Sequence, residues 1–156
     1  SKGLKHRGLA GNVAIASAIG MDVLFGASSV SGSTDPKVIS LALMAILLSL
    51  ARELIKDIED MEGDIGRNTL PRKVGVDNAR SIAWIFTLAA FISLFLPFIL
   101  EVFPTEHAIL VAPGGLLLML VKSKLFVGED RAAQRLIKRS LQVSMIGIIA
   151  SATIIG

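Results

Sequence analysis

Hydrophobic and polar positions in this chain fall into long blocks rather than helical stripes. Positions 81–100 form a run of twenty residues without a charge, 140–156 a run of seventeen, and 38–51 a run of fourteen. A bilayer core takes about twenty apolar residues per helix, fewer where a helix end lies among the headgroups. A soluble bundle of this size shows polar faces at helical spacing, and 81–100 shows none. The blocks predict five spans, roughly 10–30, 37–56, 79–100, 107–122 and 137–156. The fold class expected is all-α, a polytopic transmembrane helical bundle. Asp35-Pro36 supplies a start signal for the second span, with Asp as cap and Pro in the first turn. Pro113-Gly114-Gly115 should kink or break the fourth.

Composition agrees with the pattern. The 156 residues suit a single domain covering 1–156, but 53% hydrophobic residues and a mean hydropathy of +0.68 exceed the range of a water-soluble one. With no cysteine, disulfides and thiolate metal sites are excluded. The chain opens SKGLKHRG, without an initiator Met or a signal-peptide core, and reads as the continuation of something longer. Fifteen of the sixteen Lys and Arg residues lie in three segments: the head, the 52–80 loop and the 122–139 loop. Lys37 alone lies on the other side. By the positive-inside rule the three segments face the cytoplasm, in the cell membrane. A net charge of +3 placed in this way points to membrane lipids rather than to nucleic acid.

One cytoplasmic segment breaks the composition. In ARELIKDIEDMEGDIGRNTLPRKVG, residues 51–75, six carboxylates fall within twelve positions. If the second span continues as a helix beyond Ala51, then Glu53, Asp57, Asp60 and Asp64 fall within about 60° of one another, while Glu59 and Glu62 point away. Gly63 could end that helix before Asp64. Neighbouring carboxylates repel, so the stripe needs a cationic partner. Lys56 and Arg67 flanking a solvated helix end would serve. Oxygen ligands at the rim of a membrane cavity also suit Mg²⁺, shared between one or two carboxylates and a substrate phosphate. Arg67, Arg72 and Lys73 follow within nine residues of Asp64, and Lys2, Lys5 and Arg7 lie on the same side. Carboxylates for a metal beside cations for phosphate oxygens describe a diphosphate site.

KDIEDMEGDIGRNTLPRKVG resembles the second aspartate-rich motif of the UbiA superfamily of intramembrane prenyltransferases. Its Asp-x-x-x-Asp core falls on Asp60 and Asp64, with Asp57 one turn earlier. SKGLKHRGLAGN resembles the basic stretch before the fifth helix of that superfamily, and Lys5 matches its lysine. The Tyr that precedes this lysine in the family has no counterpart, since the chain contains no Tyr. The Gly-Leu-x-Gly-Asn and DxEGD wordings are most similar to the archaeal digeranylgeranylglyceryl phosphate synthases. The resemblance implies helices five to nine of a nine-helix fold, with the N-terminal helices as partners. The first aspartate-rich motif, N-D-x-x-D-x-x-x-D, is not found in this chain.

The resemblance further implies an Mg²⁺-dependent transfer of a geranylgeranyl group from its diphosphate to a lipid acceptor, geranylgeranylglyceryl phosphate. An aromatic acceptor is the alternative within the superfamily, and a cation-transport fragment the alternative outside it. Asp60, Asp64 and Lys5 would be catalytic. Asp57, Asp60 and Asp64 would hold the metal, and Lys5, Arg67, Arg72 and Lys73 the diphosphate.

Other positions read two ways. Asp22 lies roughly 15 Å along a helix from Asn12, near mid-membrane, where a carboxylate either lines the substrate cavity or is a protonated or hydrogen-bonded structural residue. Ala14, Ala16, Ser17, Ala18 and Gly20 around it suit a close helix contact. Asn12 is a helix cap or a contact to the acceptor. Asn68 and Thr69 touch phosphate or make a turn. Phe86, Phe91, Phe95 and Phe98 line a prenyl channel or face lipid and neighbouring helices. His6 and His107 fall on opposite sides of the membrane and cannot share a metal.

Overall fold

In the computed structural model, residues 8–31, 35–61, 63, 66 and 68–155 are described. They form helices α1 (Leu9–Ser31), α2 (Pro36–Glu59), α3 (Leu70–Val74), α4 (Val76–Ile99), α5 (Ala108–Leu125) and α6 (Asp130–Ile155), with a 3₁₀ turn at Thr105–His107. α2 lies centrally, packed chiefly on α4 and α1 and touching α6, while α5 and α6 form the most extensive pair. The start of α2 is as expected. Asp35 has an extended backbone, its Oδ1 accepts from the Lys37 N–H at 2.9 Å, and Pro36 occupies the first turn.

α1, α2, α4 and Thr105–Leu125 are the four described helices long and apolar enough to cross a membrane. α6 differs from the fifth span expected at 137–156. It begins at Asp130 and carries Asp130, Arg131, Arg135, Lys138 and Arg139 in its first ten residues. Its remainder is free of charge, so a polar shaft leads into an apolar one. The chain is an integral-membrane helical bundle.

Pro113 does not break the fourth span, because α5 is continuous through it. The glycines that suggested a break are instead contact points. A Cβ on Gly114 would lie 2.1 Å from Ser144 Oγ, and one on Gly115 would lie 2.8 Å from the Phe95 ring. Ser140 Oγ, buried in α6, donates to the Gly114 carbonyl at 2.8 Å. On the α6 side, a Cβ on Gly147 would stand 2.3 Å from the Leu110 carbonyl oxygen. Close backbone approach through small residues, with a hydroxyl bonding across, is how membrane helices associate where lipid removes the hydrophobic drive. The same logic holds between α1 and α2. Ala16 is fully buried, and a Cβ on Gly20, one turn on, would lie 2.4 Å from the Ile46 side chain. Ala14 and Ala18 are exposed, so only part of the small-residue stretch makes the contact.

Gly147→Val is therefore expected to cost about 1–3 kcal/mol, the scale of overpacking a filled interface. Gly26→Val meets no neighbouring atom within 4 Å, and should leave the midpoint nearly unchanged apart from helix propensity. Thermal unfolding of both variants in detergent measures the difference.

Candidate functional site

The first part of the acidic segment, through Asp60, is held in place because α2 does not stop where its charge-free stretch ends. Met44, Leu48, Ala51, Ile55 and Ile58 are buried at spacings of three and four residues, and Leu54 joins them. This stripe extends into the charged sequence and pins it to the core, leaving the polar positions outward. The expected continuation holds through Glu59. Asp60 closes the helix as its C-cap in a helical backbone conformation, its N–H donating to the Lys56 carbonyl at 2.9 Å. The helix thus ends before Gly63, whose N–H donates back to the Asp60 carbonyl. Glu53, Asp57 and Asp60 stand half-buried on this last part of α2. Asp64, Glu62, Lys5 and Arg67 lie outside the described residues.

Asn12 corrects the sequence reading. α1 begins at Leu9, so Asn12 is inside the helix and not its cap. It is 7% exposed, and its Nδ2 donates to Asp57 Oδ2 at 2.8 Å. The amide holds one oxygen of the carboxylate and fixes its direction. Just upstream, Gly8 has φ +57, and a Cβ there would lie 2.3 Å from the Asn68 carbonyl oxygen. The start of α1 therefore abuts the turn leading into α3.

In that turn Asn68 is exposed, whereas Thr69 is buried, with a hydroxyl that has no hydrogen-bond partner among the described residues. An orphaned buried hydroxyl costs free energy unless a ligand or water satisfies it. Thr69 precedes α3, which carries Arg72 and Lys73, both exposed. Arg72 Nη2 donates to the Met61 carbonyl at 2.6 Å. A cation on the carbonyls after a helix C-terminus complements the dipole, so Arg72 also steadies the turn that follows Asp60. Asp22 is not part of this cluster; it lies further along α1 with an exposed side chain.

Glu59 points away from Asp57, as the helical wheel predicts, but it is not merely solvated. It pairs with Arg131 Nε and accepts from Gln134 Nε2 at 2.8 Å. The last turn of α2 is thereby fastened to α1 on one side and α6 on the other. Sequence reasoning missed this because the partners are 72 and 75 residues away. Beyond it, Arg80 and Asp130 form a two-point ion pair, and Arg80 also donates to the Leu125 carbonyl. The described parts of the 52–80 and 122–139 segments are thus gathered at the same end. Lys37, over the Phe103 ring at 5.1 Å, lies at the other.

The donor set fits a hard divalent cation. Among the described residues no three acidic or histidine side chains converge on one point. Two carboxylates of one helix end, Asp57 held by an amide and Asp60 half-buried, match the habit of Mg²⁺, which takes one or two carboxylates and leaves the rest to water and phosphate. The unsatisfied Thr69 hydroxyl and the Lys73 ammonium nearby in sequence are of the kinds that contact phosphate oxygens.

Residues 1–145 match the UbiA prenyltransferase family. Digeranylgeranylglyceryl phosphate synthase of Haloquadratum walsbyi is 32% identical over 147 residues, which is 93% of this chain and 51% of the relative. The synthase of Archaeoglobus fulgidus is 36% identical over 148 residues, 92% and 50% of the two chains. That of Methanosarcina mazei is 36% identical over 154 residues, 96% and 53%. No solved structure matches the chain. The chain spans about half the length of the curated relatives it matches. The membrane helices, the acidic turn mounted at the end of α2 and the match over nearly the whole chain place this protein in the UbiA prenyltransferase family.

Proposed function

We propose that this chain forms the diphosphate-gripping part of an intramembrane prenyltransferase. It moves a geranylgeranyl group from its diphosphate to geranylgeranylglyceryl phosphate, giving an archaeal ether lipid. The observation that carries the reading is the acidic turn itself, with Asp57 oriented by Asn12, Asp60 at the helix end and Arg72 and Lys73 on the next helix. The names of the similar synthases support the donor and acceptor.

In the reaction the bond between the allylic carbon and the diphosphate oxygen breaks, and diphosphate leaves with the electron pair. The acceptor hydroxyl oxygen then bonds to that carbon, and its proton is lost to water. Negative charge builds on the leaving group, so fixed cations there stabilise the transition state more than the ground state. Lys73, Arg72, Arg67 and Lys5 fill that role. Asp57, Asp60 and Asp64 would hold Mg²⁺, which when bound supplies Lewis-acid neutralisation of the diphosphate oxygens. Asn12 fixes the direction of Asp57, and Thr69 and Asn68 offer hydrogen bonds to the phosphate. Asp22, further along α1, would line the prenyl path. The head, 52–80 and 122–139 segments face the cytoplasm on this reading, since they hold fifteen of the sixteen Lys and Arg residues.

The test uses membranes containing the complete protein with its N-terminal helices, supplied with geranylgeranyl diphosphate and Mg²⁺. With geranylgeranylglyceryl phosphate the expected products are the doubly prenylated lipid and inorganic diphosphate. Chelation of the metal should abolish transfer, and added Mg²⁺ should restore it. Prenylation of an aromatic acceptor in place of the lipid would move the protein to the other branch of the superfamily. Ion flux in the absence of any prenyl diphosphate would remove the enzyme reading.

A further inference from the structure

A second charged surface lies on the opposite side of α2 from Asp57. Arg52 of α2 and Arg131, Gln134, Arg135 and Lys138 of α6 line a shallow groove of about 280 Å³. Arg52 and Glu59 are seven residues apart and share a helical face, about 140° round from Asp57. On α6 the spacing from 131 through 134 and 135 to 138 makes one stripe. Arg131 is neutralised by Glu59. Arg52, Arg135 and Lys138 have no ion-pair partner among the described residues. Three cations from two helices therefore converge uncompensated on one groove. Like charges lining one groove repel each other, and an anion between them relieves that repulsion.

The level of the groove identifies the anion's chemistry. Arg52 is the first charge after the fourteen charge-free positions of α2, and Lys138 and Arg139 are the last before the sixteen of α6. The groove thus sits where both helices leave the apolar layer, at the depth of lipid headgroups. Its volume is below that of pockets that enclose a small molecule. That suits a phosphate head whose tails remain in the bilayer beside exposed Ile146 and Ile149 of α6. The neighbouring groove around Glu59, Glu129, Asp130 and Arg131 carries both signs of charge and has no such preference.

We propose that Arg52, Arg135 and Lys138 form a binding site for the phosphate headgroup of an anionic membrane lipid, separate from the prenyl diphosphate site. Basic recesses between membrane helices at the headgroup level bind anionic lipids, and each cation near such a surface strengthens binding about fivefold.

The experiment titrates the complete protein, in neutral detergent, with phosphatidylglycerol or phosphatidylcholine and counts bound lipid by native mass spectrometry. The parent should bind phosphatidylglycerol at least tenfold more tightly. Arg52→Gln, Arg135→Gln and Lys138→Gln together should weaken it by several tens of fold and leave phosphatidylcholine unchanged. A control with Lys122→Gln, Lys124→Gln and Arg139→Gln removes the same charge outside the groove and should stay within about twofold. The three groove side chains are exposed, and helical circular dichroism verifies folding. If the triple variant loses helicity, the single variants Arg52→Gln and Lys138→Gln carry the test at about fivefold each. Equal losses in the groove and control variants would mean long-range attraction only, and overturn the site. So would equal affinity of the parent for the two lipids. Displacement by inorganic phosphate at concentrations comparable to the lipid would overturn the lipid as occupant, leaving a free-phosphate site. None of these readings depends on prenyl transfer.

Discussion

Asp60→Asn, in the complete protein, is expected to lower kcat by about a hundredfold or more while the protein still inserts and folds. The substitution keeps size and one carbonyl oxygen and removes only the charge. On the proposed reading that charge would hold the Mg²⁺ that neutralises a leaving group whose negative charge grows towards the transition state, so the loss should appear in kcat as well as KM. A few kcal/mol is the scale for one such contact. Asp64→Asn is expected to behave alike. Asp57→Asn falls between these and the parent, because it lies on the stripe but one turn outside the core spacing, and raised Mg²⁺ partly rescues it. Asn12→Leu, which touches no substrate in this scheme, shifts activity in the same direction as Asp57→Asn through the lost hydrogen bond. Glu59→Gln serves as the control for charge alone. It is on the other face and bound to α6, so it lowers the unfolding midpoint slightly and leaves kcat within a few-fold. Near-parent kcat for Asp60→Asn at ordinary Mg²⁺ would sink the metal-site reading and return the stripe to a solvated helix end.

The largest loss of stability is expected from Asp130→Ala. Arg80 and Asp130 each expose only 12% of their side chains, and the guanidinium also satisfies the Leu125 carbonyl at the end of α5. Removing one member leaves a charge with little water, which costs about 3–5 kcal/mol. It also removes the acidic residue of the first turn of α6, where the helix dipole favours negative charge. Arg131→Ala is the comparator. Its side chain is 84% exposed, and an exposed pair is worth at most about 1 kcal/mol. Denaturant unfolding in detergent should separate the two, and Arg80→Met with Asp130→Leu should recover most of the loss by replacing the pair with apolar contact. If Asp130→Ala and Arg131→Ala fall together, burial of the pair is not what stabilises this end.

The span pattern was legible because a charge-free run of fourteen to twenty residues has few homes other than a bilayer. Asp35-Pro36 was legible for a similarly local reason, since cap and first turn involve adjacent atoms. What escaped the sequence was every feature whose partner is distant. Asn12 read as a cap because its role depends on Asp57, 45 residues on. Pro113-Gly114-Gly115 read as a break because the glycine signature of a loop is also that of a tight helix crossing, and only α6 decides between them. The last span looked shorter than α6, because a charged helical shaft standing on an apolar one has no hydropathy signal of its own. Asp60 stands out in sequence by motif and in space by its place at the helix end. The fastening of that end through Glu59 has no signal in either the charge pattern or the motif.

The two fastenings of the acidic turn also differ in when they can form. Synthesis proceeds from the N-terminus, and early elements can associate before late ones exist. The Asn12–Asp57 bond needs only the hairpin of α1 and α2, the first two helices of this chain to emerge. The Glu59–Arg131 pair must await α6, the last. The end of α2 can therefore be fastened in two stages during biogenesis, first aimed and then locked. A nascent chain stalled before α6 would carry its carboxylates in place on a helix end still free to swing.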